Sequence, residues 1–249
     1  MDLLKTTSLS RSFGGVAAVR NVTLAVKDRE LLSVIGPNGA GKTTLLKLIT
    51  GQIPPDTGRI ELFGRDVTAV PQYARAQMGI ALTHQIVRPF RGMTLGENVT
   101  AAMGHGHFNQ PVASLFHRPG AADTARAREL LDLVGIGHAA GRSASEVPLG
   151  YLKRMQIARV LATDPKLLLL DEPLAGLNYS EAGQIADLIV RLNEGGRTVV
   201  LIEHNLGEVL RISHRVAVLD NGALLAEGLP AEVIARPDVR AAYLGKEAG

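Results

Sequence analysis

Short apolar runs alternate with amphipathic stretches along most of this chain. In the first 83 residues the apolar runs lie at 21–26, 31–36 and 58–64, each bounded by glycine or charged residues. Runs of this length with such residues at their ends predict β-strands. The stretch Lys42–Thr50 repeats its apolar residues at helical spacing. The first third of the chain is therefore predicted to alternate strands and turns around one helix.

The middle of the chain, from about residue 86 to 161, has helical periodicity. Leu130, Leu131 and Val134 form an apolar stripe in a segment for which Asp123 is predicted to be the N-cap residue. Residues 103–120 are rich in glycine and proline, so an irregular excursion is predicted there. The middle is thus predicted to be a helical region with one long loop.

The last third returns to alternating strands and helices. The apolar segments "KLLLLDE", "TVVLIEH" and "RVAVLD" are separated by helical stretches, one beginning at about Ser180. Strands that are apolar throughout, with helices between them, are typical of a parallel sheet that is covered on both faces. The chain is therefore predicted to have an α/β fold.

The composition excludes several classes of protein. The net charge is +3 and no block of lysine and arginine occurs, so nucleic acid is not an expected partner. The lack of cysteine excludes disulfides and cysteine-bound zinc and fits a reducing compartment. No apolar run approaches the roughly 18–20 residues of a membrane span, and the start of the chain does not resemble a signal peptide. We expect a cytosolic chain, unless a partner holds it at a membrane.

The segment "GPNGAGKTT" carries the strongest chemical signal in the sequence. It matches the pattern G-x-x-x-x-G-K-[ST] between a predicted strand and a predicted helix, which is the context of a phosphate-binding loop. A dinucleotide fingerprint would need glycine at position 44, where threonine stands. Backbone amides and the helix N-terminus would bind phosphates, Lys42 would reach the β- and γ-phosphates, and Thr43 would ligate Mg²⁺. The predicted nucleotide-binding residues are Gly36, Pro37, Asn38, Gly39, Ala40, Gly41, Lys42, Thr43 and Thr44.

Polar residues end three further apolar segments. Asp171 and Glu172 follow "LLLL", His204 ends "TVVLIEH", and Gln85 ends "ALTHQ". Parallel sheets place their sites at the carboxyl ends of strands, so Asp171 is predicted to orient Mg²⁺ and Glu172 to take a proton from the attacking water. His204 is either a γ-phosphate contact or a capping or core histidine. Gln85 could orient water or touch Mg²⁺.

A pair of histidines in the middle loop offers a weaker signal. Gly104-His105-Gly106-His107 could be a metal site, but no third ligand is suggested by the sequence. A solvated loop is therefore the preferred interpretation of this segment.

The order of these motifs resembles the nucleotide-binding subunits of ABC transporters over essentially the whole chain. The resemblance implies an ABC ATPase fold: a P-loop core with a mostly parallel sheet, an N-terminal antiparallel β subdomain and a helical subdomain. It implies that Gln85 is the Q-loop residue, Glu172 the catalytic base and His204 the switch histidine. Phe13 stands where an aromatic ring stacks on adenine, although it could equally be a packing residue. ATP with Mg²⁺ would lie between one subunit's P-loop and its partner's signature helix.

Several details are similar to the LivG-type ATPases of branched-chain amino acid importers. These are "RPFRGMTLGENV", "AGLN" at 175–178, "IEHNL" and the ending "EGLPAEVIARPDVRAAYLG". The resemblance implies two multi-span permease subunits, a second ATPase of LivF type, and indirectly a substrate-binding protein outside the membrane. A homodimer remains open, as do uptake of urea, amides or aromatic acids and export of lipopolysaccharide. The implied location is the cytoplasmic face of the inner (plasma) membrane.

The segment "VPLGY" at 147–151 occupies the slot of the family's L-S-G-G-Q signature. Pro148 has neither a hydroxyl nor an N–H, so it cannot supply the consensus serine's contacts with the partner-held γ-phosphate. The amides of Leu149, Gly150 and Tyr151 could still bind phosphate. Alternatively the segment is a plain helix start. We expect the ATP site that this segment closes to be weaker than the chain's own P-loop site.

The chain is predicted to be a single ABC ATPase domain. Its core would comprise residues 1–87 and 160–249, and its helical subdomain residues 88–159. Two other classes remain open: an ABC ATPase acting on ribosomes or DNA, disfavoured because the chain carries one cassette and no basic extension, and a weakly hydrolysing regulatory subunit. Intact Glu172 and His204 argue against the latter.

Overall fold

The computed structural model describes residues 2–103 and 120–244. The described strands are β1 Asp2–Phe13, β2 Val16–Lys27, β3 Leu31–Ile35, β4 Thr57–Leu62, β5 Arg65–Asp66, β6 Ile80–Thr83, β7 Leu167–Asp171, β8 Thr198–Ile202, β9 Arg215–Asp220 and β10 Ala223–Gly228. The described helices are α1 Lys42–Thr50, α2 Gln72–Gln77, α3 Leu95–Met103, α4 Ala121–Leu133, α5 Leu149–Leu161, α6 Tyr179–Glu194, α7 Leu206–Ile212, α8 Pro230–Ala235 and α9 Pro237–Leu244. The histidine pair of segment 104–107 and nearly all of the predicted excursion lie outside the described residues.

The N-terminal sheet is antiparallel, with strand order β2-β1-β4-β5. Its first strand, β1, was not predicted, because register shifts interrupt the alternation of buried and exposed residues along it. A tight turn joins β1 to β2, and Phe13 pairs with Val16 across it. The two glycines of that turn both have positive φ, as hairpin turns of this kind require.

The second sheet has the order β10-β9-β3-β8-β7-β6. Strand β3 pairs in parallel with β8 and β9, β7 pairs in parallel with β8, and β10 runs antiparallel to β9. Every residue of β3, β7 and β8 is buried, which explains why these strands are apolar throughout. The predicted α/β fold with a mostly parallel core sheet is confirmed. Because β3, β7 and β8 are parallel, the loops that follow them all leave from the carboxyl end of the sheet.

Helix α1 packs its apolar face into the core beside both sheets, through Leu45, Leu46, Leu48 and Ile49. Its C-terminal end is held by a buried arginine. The guanidinium of Arg75 donates to the carbonyls of Leu48 and Ile49, each at 2.8 Å. A cation at the last carbonyls of a helix satisfies orphan acceptors and complements the helix dipole. The loop-to-helix junction at the start of α1 is therefore carried on a helix that is fixed at its far end.

The contacts divide the chain into two compact units. As far as they are described, the first comprises Met1–Leu82, Lys166–Glu172 and Ile189–Gly249, and the second Thr83–Pro165 and Pro173–Leu188. The first half of α6 belongs to the second unit because it contacts α5: Arg154 donates to Gln184 Oε1 at 2.7 Å. The boundaries proposed from the sequence, at 87/88 and 159/160, stay a prediction.

The second unit is helical, and α3, α4 and α5 pack together in it. The predicted N-cap of α4 was wrong. Gly120 is the N-cap residue, and Asp123 is the third residue of the helix, where its carboxylate accepts from the Gly120 amide at 2.9 Å. An acid at this position satisfies an exposed amide and resembles a cap in sequence, which explains the error.

Candidate nucleotide site

The predicted phosphate-binding loop connects β3 to α1, and two of its glycines are required by the fold itself. Gly36 has φ +149°, and a Cβ there would lie 2.1 Å from the carbonyl oxygen of Leu219. Gly41 has φ +98°, and a Cβ there would lie 2.2 Å from the carbonyl oxygen of Ala18. Neighbouring backbone therefore presses on the loop from two sides, and only glycine fits at these positions.

Lys42 opens α1, and its side chain turns back over the loop. Its Nζ donates to the carbonyls of Gly36 at 2.7 Å and Pro37 at 3.0 Å, and the side chain is buried. Asn38, Gly39 and Thr43 are exposed beside it. The loop thus holds a buried ammonium group next to exposed backbone at the N-terminus of a helix, an arrangement that suits an anionic phosphate chain.

Asp171, the last residue of β7, lies beside the start of α1. The Thr43 hydroxyl hydrogen-bonds to its carboxylate. Burial raises the pKa of Asp171, and the neighbouring Glu172 carboxylate raises it further, while the Thr43 hydroxyl and the Lys42 charge oppose the rise. A carboxylate and a hydroxyl in contact, in a place where negative charge is disfavoured, are suitable ligands for Mg²⁺.

Glu172 has an uncommon backbone conformation. Its φ is +49°, in the left-handed region that residues other than glycine, asparagine and aspartate seldom adopt. Its amide donates to the Ile202 carbonyl at 3.0 Å, which ties the residue to the end of β8. Such strain costs about 1–3 kcal/mol and is concentrated at functional sites. The chain bends sharply here and leaves Glu172 half-buried after the buried Asp171.

His204 follows β8 and is exposed. The N-cap residue of α7 is Asn205, whose side chain accepts from the Glu208 amide at 3.3 Å. His204 is therefore neither a core histidine nor the N-cap residue of this helix. Its contact with the γ-phosphate stays a prediction. The residue before it, Glu203, is buried and accepts from the His204 amide at 3.2 Å. Glu203 was not predicted from the sequence.

Phe13 ends β1 with 46% of its surface exposed. The Arg11 guanidinium lies 5.0 Å from the centroid of its ring. A ring that is this exposed does not serve as core packing, so the geometry leaves Phe13 accessible to a planar ligand. Its contact with adenine remains a prediction.

In the second unit, the predicted signature segment is the start of α5. Pro148 is the N-cap residue, and its carbonyl accepts from the Tyr151 amide at 3.1 Å. The Tyr151 hydroxyl lies 3.1 Å from Nε2 of His138, within the same unit. The Tyr151 amide and hydroxyl thus both have partners inside the chain. Leu149 and Gly150 belong to the helical turn whose amides lack intrahelical acceptors, so they remain the candidate phosphate donors.

The start of α5 also contacts the segment before α6. A Cβ on Gly150 would lie 3.0 Å from Glu181 Oε1, and a Cβ on Gly176 would lie 3.0 Å from Leu149 Cδ2. Glu181 and Asn178 cap α6 reciprocally: each amide donates to the other's side chain, at 3.2 and 2.9 Å. Gly150 therefore leaves room for the Glu181 carboxylate, which a Cβ at this position would displace by a few tenths of an ångström.

A family model described as "ABC transporter" matches residues 19–175, which is more than half of the chain. The chain belongs to the ABC transporter ATP-binding family. A second model, described as "Branched-chain amino acid ATP-binding cassette transporter", matches residues 223–249. The second match begins at β10 and includes the helices α8 and α9, which pack on a cluster that contains Ile35, the residue before the P-loop.

Similar proteins and structures agree with this membership. The high-affinity branched-chain amino acid transport ATP-binding protein LivG of Salmonella typhimurium is 41% identical over 98% of both chains. BraF of Pseudomonas aeruginosa, of the same description, is 40% identical over 98% of both. An ATP-binding cassette solved in an ADP conformation superposes with a TM-score of 0.87 at 30% identity, covering 99% of this chain and 100% of that one.

This ABC cassette is an ATPase subunit, and its P-loop is assembled within the first unit with Asp171 and Glu172. Gln85 and the signature segment belong to the second unit. Among the described residues, no helix combines the length and the apolarity that crossing a membrane requires.

Proposed function

We propose that this chain is the ATP-hydrolysing subunit of an importer for branched-chain amino acids. The similarity to LivG and BraF supports the proposal because it covers 98% of each chain and is accompanied by the C-terminal match at 223–249. The C-terminal match is the observation that most strongly supports this cargo, because the P-loop and its acids are common to ABC ATPases whatever they transport. The cargo itself would be chosen by other subunits.

In the proposed reaction, Lys42 turns from the Gly36 and Pro37 carbonyls to the β- and γ-phosphates. Thr43 and Asp171 would hold Mg²⁺, which would supply charge neutralisation at the phosphates. Glu172 accepts a proton from the attacking water, and His204 orients the γ-phosphate. The family resemblance assigns the Gln85 side chain to Mg²⁺ or to the water. The protein's contribution is mainly positioning and charge stabilisation.

We infer that the working unit is a pair of ATPases on two multi-span permease subunits. A related cassette, 25% identical over 91% of this chain, was solved as a dimer in a post-hydrolysis state with ADP and Pi. The resemblance to LivG-type ATPases favours a heterodimer with a LivF-type subunit over a homodimer. A substrate-binding protein would deliver cargo on the far side of the membrane, with this chain on the cytoplasmic face.

The two sites of that pair would differ. The chain's own P-loop would be closed by the partner's signature, while the partner's P-loop would be closed by the start of α5. There Pro148 offers no donor, and the Tyr151 amide already donates to the Pro148 carbonyl. The second site therefore has the Leu149 and Gly150 amides and the helix dipole as its donors, which supports weaker hydrolysis at it.

The decisive experiment is a transport assay with the assembled complex. The chain is co-expressed with permease subunits, a second ATPase and a substrate-binding protein of the branched-chain amino acid importer type. The complex is placed in proteoliposomes, and ATP-driven uptake of leucine, urea, an amide and an aromatic acid is measured. We expect leucine uptake that the variant K42A abolishes. Uptake of urea, amides or aromatic acids without uptake of leucine would contradict the proposed cargo. ATP hydrolysis without any transport would contradict the proposed role in an importer.

A further inference from the structure

Three side chains on one face of α5 donate to main-chain carbonyls of the segment that follows β6. Lys153 Nζ donates to Gln85 O at 3.0 Å, and Gln156 Nε2 donates to His84 O at 2.8 Å. Arg159 continues the same face and donates to Arg88 O at 3.1 Å. Donor and acceptor residues all belong to the second unit.

The spacing of the donors explains how one helix can hold the whole segment. Lys153, Gln156 and Arg159 are separated by three residues each, so their side chains line one face of α5. Their acceptors lie within five consecutive residues, 84–88. The helix therefore binds the backbone of this segment at several points, whatever its side chains are.

Lys153 is the least expected of the three donors. Its relative exposure is 3%, and lysine is seldom buried to this extent unless its charge is satisfied by hydrogen-bonding partners. Placing an ammonium group here is costly unless acceptors surround it, and a carbonyl of the predicted Q-loop residue is one of them. An apolar side chain at this position would pack at a lower desolvation cost but would leave the Gln85 carbonyl without this donor.

We propose that Lys153 is a positioning residue for Gln85. It fixes the main chain at Gln85 to the helix whose first turn is the signature segment, so that Q-loop and signature move as one body. The inference rests on the proposed function, because it assigns Lys153 a part in the same ATPase cycle. In the proposed pair Gln85 would contact one ATP and the start of α5 the other, so this connection would join the two nucleotide sites through a single helix.

The arrangement also separates two tasks of Gln85. Its carbonyl is used by Lys153 for attachment, while the family resemblance assigns its side chain to Mg²⁺ or water. Loss of Lys153 should therefore leave nucleotide binding at the P-loop intact and impair the alignment that follows it. A displacement of about 1 Å at a reacting group can lower a rate about 100-fold.

The test compares K153M with K153R in the assembled complex. We expect K153M to lower kcat for ATP hydrolysis at least about tenfold, with KM for ATP changed less than about twofold, and to lower leucine uptake per ATP hydrolysed. K153R should recover most of kcat, because a guanidinium can still donate to the Gln85 carbonyl. Q156A, which removes the neighbouring donor, should give a smaller loss of the same kind.

The control is R154M, on the same helix. Arg154 donates to the Val134 carbonyl and to Gln184 Oε1, so its loss should leave the ratio of uptake to hydrolysis unchanged. Binding of a fluorescent ATP analogue to isolated K153M shows whether this variant is folded; if it is not, Q156A and K153R carry the test by the same kinetic criteria.

Wild-type kcat in K153M, or equal losses of activity in K153R and K153M, would overturn the proposal. Failure of the proposed function gives a different result: the wild-type complex would hydrolyse ATP without transporting leucine. In that case the kcat comparison still tests Lys153.

Discussion

The residues around the P-loop show how individual side chains and backbone angles fit the chemistry. Asp171 is buried at the end of a strand, and the chain then enters the left-handed region at Glu172. The sequence predicted both acids because they directly follow "LLLL". It did not reveal the strain at Glu172, since φ depends on the hydrogen bond to the Ile202 carbonyl on a strand about thirty residues away. Lys153 was missed for a similar reason: its acceptor, the Gln85 carbonyl, lies 68 residues away along the chain and leaves no local pattern.

Replacing the proposed base should separate binding from hydrolysis. E172Q keeps the shape of the side chain and removes its ability to accept a proton, so ATP should bind and stay bound. We expect turnover of the assembled complex to fall by a factor of about 10²–10⁴. Steady-state hydrolysis by purified complex and retention of labelled ATP measure this. Unchanged hydrolysis would remove Glu172 from this role.

The backbone strain at Glu172 can be measured independently of activity. E172A and E172G both remove the carboxylate, but only glycine adopts a φ of +49° without steric cost. We expect E172G to be more stable than E172A by about 1 kcal/mol, after the larger chain entropy of unfolded glycine is included. Urea unfolding of the two isolated variants gives the comparison. Equal or lower stability of E172G would show that this conformation is unstrained.

At the scale of elements, predictions succeeded where both faces of a strand are buried and failed where the pattern is interrupted. Strands β3, β7 and β8 are continuous apolar runs because covering layers bury them completely. Strand β1 escaped prediction because register shifts disturb its alternation. The N-terminus of α4 was misplaced because glycine as N-cap carries no side-chain signal, whereas the acid three residues later does.

Helix α9 carries a pH-sensitive contact near the P-loop. Burial raises the pKa of Tyr243 to about 12, and the backbone of Gly36 opposes the rise. Among the residues that the structure describes, none meets hydrogen-bond geometry with the Tyr243 hydroxyl. The folded state therefore holds the phenolic proton more tightly than the unfolded state does. This contribution is complete below about pH 10 and is lost as the pH rises from about 10 to about 12.

The expected result is a difference in alkaline stability between the wild type and Y243F. Between about pH 10 and pH 12 the wild type should lose on the order of 1–2 kcal/mol of unfolding free energy that Y243F does not lose, allowing for partial solvent screening. Urea unfolding at several pH values measures it. At pH 8 the variant should be at least as stable as the wild type, because it no longer buries an unsatisfied hydroxyl. If the unfolding free energies of the wild type and Y243F changed in parallel with pH, the loss of stability could not be assigned to Tyr243.

For the molecule as a whole, the resemblance to ABC ATPases explained most of the fold, and the structure altered the interpretation of the signature. Two features of "VPLGY" now have local causes: Gly150 gives room to Glu181, and Tyr151 bonds to His138. A signature motif can therefore depart from its consensus because the residues at its positions also pack against, or hydrogen-bond to, other residues of the same unit. That dual use could not be deduced from spacing, since the neighbours are up to about thirty residues distant.

Restoring a serine to this segment should affect only one site of the assembled pair. P148S regains an amide and a hydroxyl for the partner-held γ-phosphate, and a hydrogen bond to a charged group contributes about 1.5–3 kcal/mol. We expect ATP affinity at the partner's P-loop to rise about tenfold or more. P148A regains only the amide, so the difference between P148S and P148A measures the contribution of the hydroxyl. Unchanged affinity and turnover in P148S would remove the asymmetry between the two sites.

The close packing around the P-loop also limits what mutagenesis of this loop can mean. At Gly36 and Gly41 a single methyl group would overlap a backbone oxygen, so an inactive alanine variant there would report misfolding and say nothing about phosphate. Gly39 differs, because a Cβ there would have no atom within 4 Å, although its φ of +80° still disfavours alanine. Of these three glycines, only Gly39 can be substituted to test contact with the ligand without a steric clash that disrupts the P-loop.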